Sequence, residues 1–436
     1  MNFTEAKAYI EEITRTKKIS LGLSTMEKLL KRLGNPQEEL SFIHIAGTNG
    51  KGSTLAFIAS VCQAAGYRVG RYHSPSVFSY CEKIQVNGEC ISEKDAARLI
   101  REVRRVSEEM EAEGYPHPTA FETETAVSFL YFREQGCDLV ALETGMGGEG
   151  DATNVVKTTV CSVISSISMD HMQFLGDTLE KIARVKGGII KPGRPVILCG
   201  QSERVEGVIR AICQEKKAVL TVSSPEDARV TETGLWGSRF SYGNFSEIKI
   251  PLAGKYQIIN ACTALEVVEI LRDLGYDIEE NAVYEGMACV RWPGRFEILL
   301  ERPLFVLDGA HNPEAAERLK DSLNLYFTNR RIIYIMGILA DKDYRNIVKI
   351  TAPLAERIYT VTPDSPRALS GEKLRLCIEE EAEEIGFSGE VQEKDSVREA
   401  VHDALDQAGE DSVIVAFGSL SYLGELSKAL KESIHD

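Results

Sequence analysis

The chain has 436 residues, of which 43% are hydrophobic and 27% are charged, and this balance indicates a globular protein of two or three domains. Its formal net charge of −16 argues against a nucleic-acid-binding surface, because no basic stripe offsets the acidic total. No apolar run is long enough to cross a bilayer and the N-terminus does not resemble a secretory signal, so we expect a cytoplasmic protein without a membrane partner.

The N-terminal part alternates short β-branched runs with amphipathic helical stretches from residue 41 to about residue 200. Such alternation predicts a parallel sheet that is covered by helices on both faces. The predicted strands span 41–46, 68–72, 138–142, 159–165 and 195–198, and the predicted helices lie near 53–65, 93–113, 121–135 and 178–186.

Residues 217–252 mix Thr, Ser and Gly with short apolar runs and predict a small antiparallel excursion. Helices are predicted next at 256–274 and 279–288, before the adjacent proline and glycine of Arg291-Trp292-Pro293-Gly294-Arg295 interrupt the pattern. A second series of strands and helices follows at 303–307, 314–326, 331–336, 343–351, 357–361 and 412–416.

We therefore predict an α/β chain with a boundary near residues 293–297. Residues 1–294 would form a parallel-sheet ATPase domain with a P-loop, and residues 295–436 a smaller Rossmann-like α/β domain. A ligand that bridges the two would lie at the carboxyl ends of their strands. The ten cysteines occur singly, without zinc spacing, and we expect buried thiols, as at Cys62, Cys161, Cys199 and Cys262.

The run IHIAGTNGKGST at residues 43–54 joins an apolar strand to a helix through a glycine-rich turn that contains Lys51. Glycines let backbone N–H groups face an anion, the helix offers its positive N-terminus, and the lysine adds a point charge, so we predict that this loop binds ATP. Gly52 stands where a magnesium-binding hydroxyl usually follows the lysine. The hydroxyl is therefore expected from another loop, and the alternative is a glycine-rich turn without a ligand.

Two further strand ends carry oxygen donors. Ser74 follows the second strand and could supply the missing hydroxyl if that strand neighbours the first, although a serine before proline is also ordinary turn chemistry. Glu143 ends an apolar strand before a glycine-rich turn, where a cation that bridges phosphates needs an oxygen ligand. A solvated glutamate beside a turn is the alternative. Asp151 is expected to cap or position this loop.

Three other junctions are candidates. Asp170 and His171 end a buried run, and because magnesium prefers oxygen, chemistry alone favours a hydrogen-bonding role for the histidine. Lys186 precedes two glycines at a helix end, where a lysine is normally a favourable C-terminal charge. Asp308 and His311 follow a strand of the second half, ahead of an N-cap at Asn312 and a proline at the first helical position.

Together these segments resemble the folylpolyglutamate synthase and dihydrofolate synthase family, relatives of the Mur peptide ligases of cell-wall synthesis. The order and spacing of the motifs carry the resemblance, which spans nearly the whole chain. The matching segments are Leu21-Gly22-Leu23, the loop HIAGTNGKGST, His73-Ser74-Pro75, Phe121-Glu122-Thr123, ETGMGG, DATN, Asp170-His171, Lys186-Gly187-Gly188-Ile189, Pro293-Gly294-Arg295-Phe296, Asp308-Gly309-Ala310-His311-Asn312-Pro313, Ala340-Asp341-Lys342-Asp343 and Phe417-Gly418-Ser419-Leu420.

The resemblance implies the roles of the site residues. The nucleotide-binding set is Thr48, Asn49, Gly50, Lys51, Gly52 and Ser53, with Asn260, Arg295 and Asp308. The magnesium (Mg2+) ligands are Ser74, Glu143 and His171, and the catalytic set is Lys51, Lys186, Glu143 and His171. Lys186 matches the family's carbamylated lysine. The substrate side contains Phe121 and Glu122, with His311 and Ser419 as candidates for the incoming glutamate.

The implied activity is ATP-dependent addition of L-glutamate to the carboxylate of a folate through an acyl phosphate. Dihydropteroate is the alternative acceptor, and an enzyme with both activities is a further one, because Ser76, Lys83 and Glu149 depart from the family pattern on the pterin side. A Mur-type peptide ligase fits less well, since Gly52 and the Phe121 segment match the folate branch. A nucleotide-binding protein without catalysis is the alternative from another class. We expect a monomer.

Overall fold

The computed structural model describes residues 1–17 and 22–435. Leu21, the first residue of the Leu21-Gly22-Leu23 segment, lies outside the described residues. Within these ranges, eight strands form the largest sheet. They are β1 (Phe42–Ala46), β2 (Val69–Tyr72), β3 (Ile84–Val86), β4 (Glu89–Cys90), β5 (Leu139–Glu143), β6 (Thr159–Ile164), β7 (Val196–Cys199) and β8 (Leu220–Ser223).

The spatial order of this sheet is β4-β3-β2-β5-β1-β6-β7-β8. In this spatial order, the neighbours in the run β2-β5-β1-β6-β7-β8 pair in parallel. β3 and β4 extend the sheet beyond β2 and pair antiparallel. The central strand β1 is buried along its whole length. The predicted parallel sheet is therefore confirmed, and the sheet also contains the strand pair β3 and β4, which was not predicted from the sequence.

Helices cover both faces of this sheet. They are α1 (Phe3–Thr16), α2 (Ser24–Arg32), α3 (Lys51–Ala64), α4 (Glu93–Ala112), α5 (Ala120–Glu134), α6 (Met172–Leu175), α7 (Leu179–Lys186), α8 (Glu203–Lys216), α9 (Lys255–Asp273) and α10 (Glu280–Cys289). Alternate residues of β5 enter different cores, because Val140 and Leu142 pack with α1, α4 and α5, whereas Leu139 and Ala141 pack with α3, α9 and α10. A strand that is buried on both faces reads as the continuous apolar run seen in the sequence.

A small antiparallel sheet follows, with strands β9 (Arg229–Gly234), β10 (Gly237–Tyr242) and β11 (Phe245–Ile250). The excursion predicted at residues 217–252 starts too early, because β8 pairs in parallel with β7 and so extends the large sheet. The apolar side of β10 and β11 packs with α9 and α10 through Phe240, Phe245 and Ile248.

The C-terminal part forms its own sheet. Its strands are β12 (Glu297–Glu301), β13 (Leu304–Leu307), β14 (Arg331–Met336), β15 (Arg357–Thr360), β16 (Glu390–Glu393) and β17 (Ser412–Phe417), in the order β12-β13-β17-β14-β15-β16. β12 is antiparallel to β13, and the other neighbours are parallel. The helices are α11 (Pro313–Tyr326), α12 (Tyr344–Thr351), α13 (Gly371–Ile385), α14 (Val397–Gln407) and α15 (Leu423–His435).

Separate buried clusters lie on the two faces of this second sheet, so it too is an α/β layer structure. The proposed division at residues 294 and 295 falls just before β12. In the part of the chain that the structure describes, no helix combines the length and the apolar character that a bilayer crossing requires. The four cysteines predicted to be buried are buried, whereas Cys90 and Cys289 are exposed.

Candidate active site

The phosphate loop lies between β1 and α3, at the centre of the large sheet. α3 begins at Lys51, and its N-cap Gly50 provides no side-chain hydrogen bond to the first turn. The free N–H groups and the positive end of the helix dipole therefore face the cavity in front of the loop. This is the geometry that binds phosphate.

Gly50 is required at this turn for two reasons. Its φ of +84° belongs to the left-handed region, which favours glycine. In addition, a Cβ at this position would lie 2.4 Å from Oδ1 of Asn260 on α9. Asn260 thus contacts the loop from a helix that lies 210 residues further along the chain, which follows from the two residue numbers.

Lys51 points toward Glu143. The Nζ atom of Lys51 lies 3.7 Å from Oε1 of Glu143 and donates a hydrogen bond to the carbonyl of Thr48 at 3.2 Å. The two residues meet because β5 is the direct neighbour of β1, with Ile45 opposite Glu143. Burial raises the pKa of Glu143, and Lys51 and Arg295 partly offset this effect. Glu143 is buried, so the reading as a solvated turn residue is wrong.

Ser74 reaches the same cavity by a different route from the one that the sequence suggested. Its strand β2 is not a neighbour of β1, because β5 lies between them. All three strands run in parallel, however, so their carboxyl ends share one edge of the sheet. Ser74 consequently lines the cavity beside the phosphate loop.

Lys186 ends α7 and turns inward. Its side chain is 5% exposed, and Nζ donates a hydrogen bond to the carbonyl of Gly47 at 2.6 Å. Burial lowers the pKa of Lys186 to about 7, and the nearby Lys51 lowers it further. An exposed C-terminal charge is therefore the wrong description, because this amine contacts the phosphate loop directly.

His171 and His311 approach the site from opposite halves of the chain. Burial lowers the pKa of each to about 4, so both imidazoles are neutral near pH 7. In His311 the ring atom Nδ1 lies 2.7 Å from the carbonyl of Gly309, which can only accept, so Nδ1 carries the proton and Nε2 keeps its lone pair. His171 has a left-handed φ of +49° at the start of α6.

Asp308 organises the loop that carries His311. Its carboxylate accepts hydrogen bonds from the backbone of Phe296 at 2.9 Å and of Ala310 at 2.8 Å. Burial raises the pKa of Asp308, whereas Arg295 and these two donors lower it in part. Asn312 caps α11 as predicted, accepting from Ala315 at 2.9 Å, with Pro313 at the first helical position.

The two halves of the chain contact each other at this site. Asn49 of the phosphate loop donates to Oε2 of Glu314 at 2.6 Å, and Asn312 donates to Oδ1 of Asn49 at 3.1 Å. Lys342 donates to Oδ1 of Asp170 at 2.8 Å. These contacts join residues that precede β7 to residues of α11 and of the loop before α12, so the cavity has walls from both halves.

The cavity beside the phosphate loop measures about 170 Å³. It is lined by every residue assigned to the nucleotide and the metal, which are Thr48, Asn49, Gly50, Lys51, Gly52, Ser53, Ser74, Glu143, His171, Asn260, Arg295 and Asp308, together with Lys186. Their roles stay predictions. Among residues 1–17 and 22–435, no three His, Cys, Asp or Glu side chains gather as a metal site.

A second cavity of about 680 Å³ adjoins the first, and this size suits a cofactor-sized ligand. It is lined by Phe121, Glu122, His311 and Ser419. Ser74, His171 and His311 line both cavities, so they mark the junction between them. The carboxylate of Glu122 also accepts from the backbone and the hydroxyl of Thr119, at 2.8 and 2.9 Å, and thereby caps α5.

The sequence analysis assigned no role to some of the residues that line the cavities. Tyr256 lines the smaller cavity, and Lys342 and Arg367 line the larger one. Lys342 belongs to the Ala340–Asp343 segment of the family pattern, which was the available signal for it. Asp151 positions the glycine-rich loop as expected, because it accepts from the backbone of Met146 at 2.8 Å and of Thr153 at 3.0 Å.

The chain is similar to known ligases along its length. Residues 45–268 match the Mur ligase middle domain, and residues 294–420 match the Mur ligase, glutamate ligase domain. A dihydrofolate synthase/folylpolyglutamate synthase of Bacillus subtilis is 36% identical over 419 residues, which cover 94% of this chain and 95% of that protein.

Solved structures agree with this similarity. The Mycobacterium tuberculosis folylpolyglutamate synthase complexed with ADP and AMPPCP superposes with a TM-score of 0.88 at 29% identity, covering 98% of this chain and 99% of that one. Escherichia coli FolC in complex with DHPP and ADP superposes with a TM-score of 0.85 at 30% identity, covering 99% of this chain and 98% of that one. The similarity therefore includes both halves of the chain.

Proposed function

The chain belongs to the family of folylpolyglutamate synthases and dihydrofolate synthases, and on this premise we propose that it joins L-glutamate to the carboxylate of a folate, using ATP. It is an acid–amino-acid ligase that forms a carbon–nitrogen bond. The observation that carries the proposal is the convergence of Lys51, Glu143 and Lys186 on one phosphate loop, beside a junction with a second cavity.

ATP fits the smaller cavity through features of the loop itself. The uncapped first turn of α3 and the glycine at residue 50 leave backbone donors free for the phosphates. Lys51 adds a positive charge at the outer phosphates. Bound ADP in the Mycobacterium tuberculosis and Escherichia coli relatives supports this assignment.

Magnesium fits the donor set at the same edge. Ser74 and Glu143 offer the oxygen atoms that magnesium prefers. The neutral imidazole of His171 would add a nitrogen, and this ligand role rests on the family resemblance. These few protein donors would suffice to hold the ion, because Mg2+ usually takes its remaining ligands from water and from substrate phosphates. When bound, the ion neutralises charge on the phosphoryl group that is transferred.

The remaining work is positioning and charge stabilisation by the chain's own residues. The carboxylate of the acceptor would enter from the larger cavity and meet the phosphate at Ser74, His171 and His311. Attack on the γ-phosphate gives an acyl phosphate, and the amine of L-glutamate then displaces phosphate. We propose that Lys186 is carbamylated, since its buried amine is partly neutral near pH 7 and a carbamate would supply an anionic oxygen.

Closure of the two halves excludes water, which would otherwise hydrolyse the acyl phosphate. The contacts of Asn49 with Glu314 and of Lys342 with Asp170 support a closed arrangement.

Two acceptors are proposed, in order of preference. A folate is our first proposal, and dihydropteroate is the second, because the Bacillus subtilis relative carries both activities in its name. Lys83, one of the positions that depart from the family pattern, lines the larger cavity and pairs with Glu124 at 2.8 Å. This pair therefore contributes to the wall that an acceptor contacts. We also propose that the protein is a cytoplasmic monomer.

The test is to supply ATP, Mg2+ and L-glutamate with either dihydropteroate or tetrahydrofolate and to weigh the products. We expect a mass gain of one or more glutamyl residues on tetrahydrofolate. A gain on dihydropteroate alone would select the second acceptor. No product with either acceptor, from a folded protein that binds ATP, would overturn the proposal.

A further inference from the structure

The phosphate loop contacts a tryptophan from the segment that connects the two halves. A Cβ added at Gly52 would lie 2.2 Å from Cζ2 of Trp292 and 2.9 Å from Cε2. Gly52 lies within α3 and has an ordinary helical backbone, so conformation alone does not require glycine here. The indole ring fills the space where any other residue would carry its side chain.

The ring of Trp292 is held on its other sides by β2 and the residue that follows it. The guanidinium of Arg71 lies 5.3 Å from the ring centroid, within cation–π range. The imidazole of His73 meets the ring edge-to-face, with centroids 4.8 Å apart and planes at 70°. His73 directly precedes Ser74, a predicted magnesium ligand, and Gly52 directly follows Lys51. The indole therefore contacts a residue next to each of these two site residues.

Trp292 also leads directly into the C-terminal half. The chain turns at Gly294, whose φ is +75°, and Arg295 then lines the nucleotide cavity. Trp292 itself is half-buried and does not line either cavity beside the phosphate loop. Its contacts are thus with the residues that surround the site rather than with a ligand.

We propose that Trp292 is a positioning residue that sets the spacing between the phosphate loop, Ser74 and Arg295. Gly52, the residue after Lys51, is then required by this ring, because the indole occupies the space that a hydroxyl-bearing side chain at residue 52 would need. The inference rests on the proposed phosphate-binding role of the loop.

A steric exchange tests the proposal. Gly52→Ala should lower kcat/KM for ATP about 100-fold, the loss typical of a misplacement of about 1 Å. Removing the ring should relieve it, so Gly52→Ala/Trp292→Ala should be more active than Gly52→Ala alone. Gly207→Ala is the matched control, since Gly207 has open space around it. If the double variant is no better than Gly52→Ala, the proposal is wrong.

Trp292→Ala alone should raise KM for ATP while changing the melting temperature little. The reason is that the ring spaces the site and is only partly buried against the hydrophobic core beside α3. Trp236→Ala is the control for loss of a tryptophan, since Trp236 is 64% exposed. If Trp292→Ala fails to fold, Trp292→Phe takes its place, because the smaller ring should still relieve Gly52→Ala in part. Equal KM values for wild type and a folded Trp292 variant would contradict the proposal.

Fluorescence provides a readout that does not need turnover. The chain contains two tryptophans, so a Trp236→Phe variant reports on Trp292 alone. Binding of AMPPCP with Mg2+ should change the emission of this variant, and calorimetry measures the binding itself. Binding without any change in emission would count against the positioning role. Absence of binding in the wild type would instead refute the proposed function.

Discussion

Replacing Lys342 with methionine should weaken the contact between the two halves of the chain. Nζ of Lys342 lies 2.8 Å from Oδ1 of Asp170, and the side chains are only 8% and 12% exposed. Although burial opposes it, Lys342, with His171, holds the pKa of Asp170 below its usual range. The variant would leave this carboxylate buried without its main partner.

The expected loss follows from the burial of the pair. Removing one partner of a buried ion pair costs about 3 to 5 kcal/mol, and the small remaining exposure favours the lower end. A loss of about 3 kcal/mol corresponds to roughly 150-fold in the equilibrium between closed and open arrangements. Because the pair joins the two halves, we expect this loss in kcat/KM for glutamate, with little change in the melting temperature.

The assay is glutamate-dependent phosphate release, with thermal unfolding measured on the same samples. Arg331→Met is the matched control, because Arg331 pairs with Glu356 within the C-terminal half and both side chains are 53% exposed. Exposed pairs contribute about 1 kcal/mol or less. A loss in Lys342→Met that does not exceed the loss in Arg331→Met would refute the reasoning.

Two other predictions concern the phosphate loop. Burial lowers the pKa of Lys186 to about 7, so its amine is increasingly protonated below that pH and cannot then react with carbon dioxide. Activity should therefore fall below pH 7 and on removal of bicarbonate. The variant Lys186→Arg should not respond to bicarbonate. Gly50→Ala should raise KM for ATP about tenfold or more, because its Cβ would lie 2.4 Å from Asn260. Gly66→Ala, with a similar φ of +91° but open space, separates crowding from backbone strain and should leave KM unchanged.

Local patterns explain what the sequence could predict. β1 and β5 are buried along their whole length, and each is almost entirely apolar: β1 contains one polar residue, His44, and β5 is apolar up to its last residue, Glu143. The carboxyl ends of parallel strands meet at one edge, and this rule alone brings Lys51 and Glu143 to the same place. The core of the site was therefore predictable from short segments.

The order of the strands was not predictable, because it depends on contacts between distant segments. β5 inserts between β1 and β2, although it follows both in the chain. β17, the last strand, inserts between β13 and β14, and this insertion carries Ser419 to the edge of the larger cavity. Neither insertion has a signature in composition or periodicity.

Contacts across the chain were also missed. Lys342 and Asp170 are 172 residues apart, so no spacing argument links them. The sequence shows at Gly52 only that a hydroxyl is missing, whereas the structure shows that a side chain at this position would overlap the ring of Trp292. Such reasons appear only once the distant segment is in position.

The most direct measurement is phosphate release that depends on both glutamate and a folate, compared between wild type, Lys51→Ala and Glu143→Ala. Lys320→Ala, which removes a lysine from a surface pair on α11, is the control. We expect each site variant to retain about 1% of wild-type turnover or less while unfolding at a similar temperature, and the control to match wild type. Near-normal turnover in either site variant would contradict the claim that these strand ends form the nucleotide and metal site.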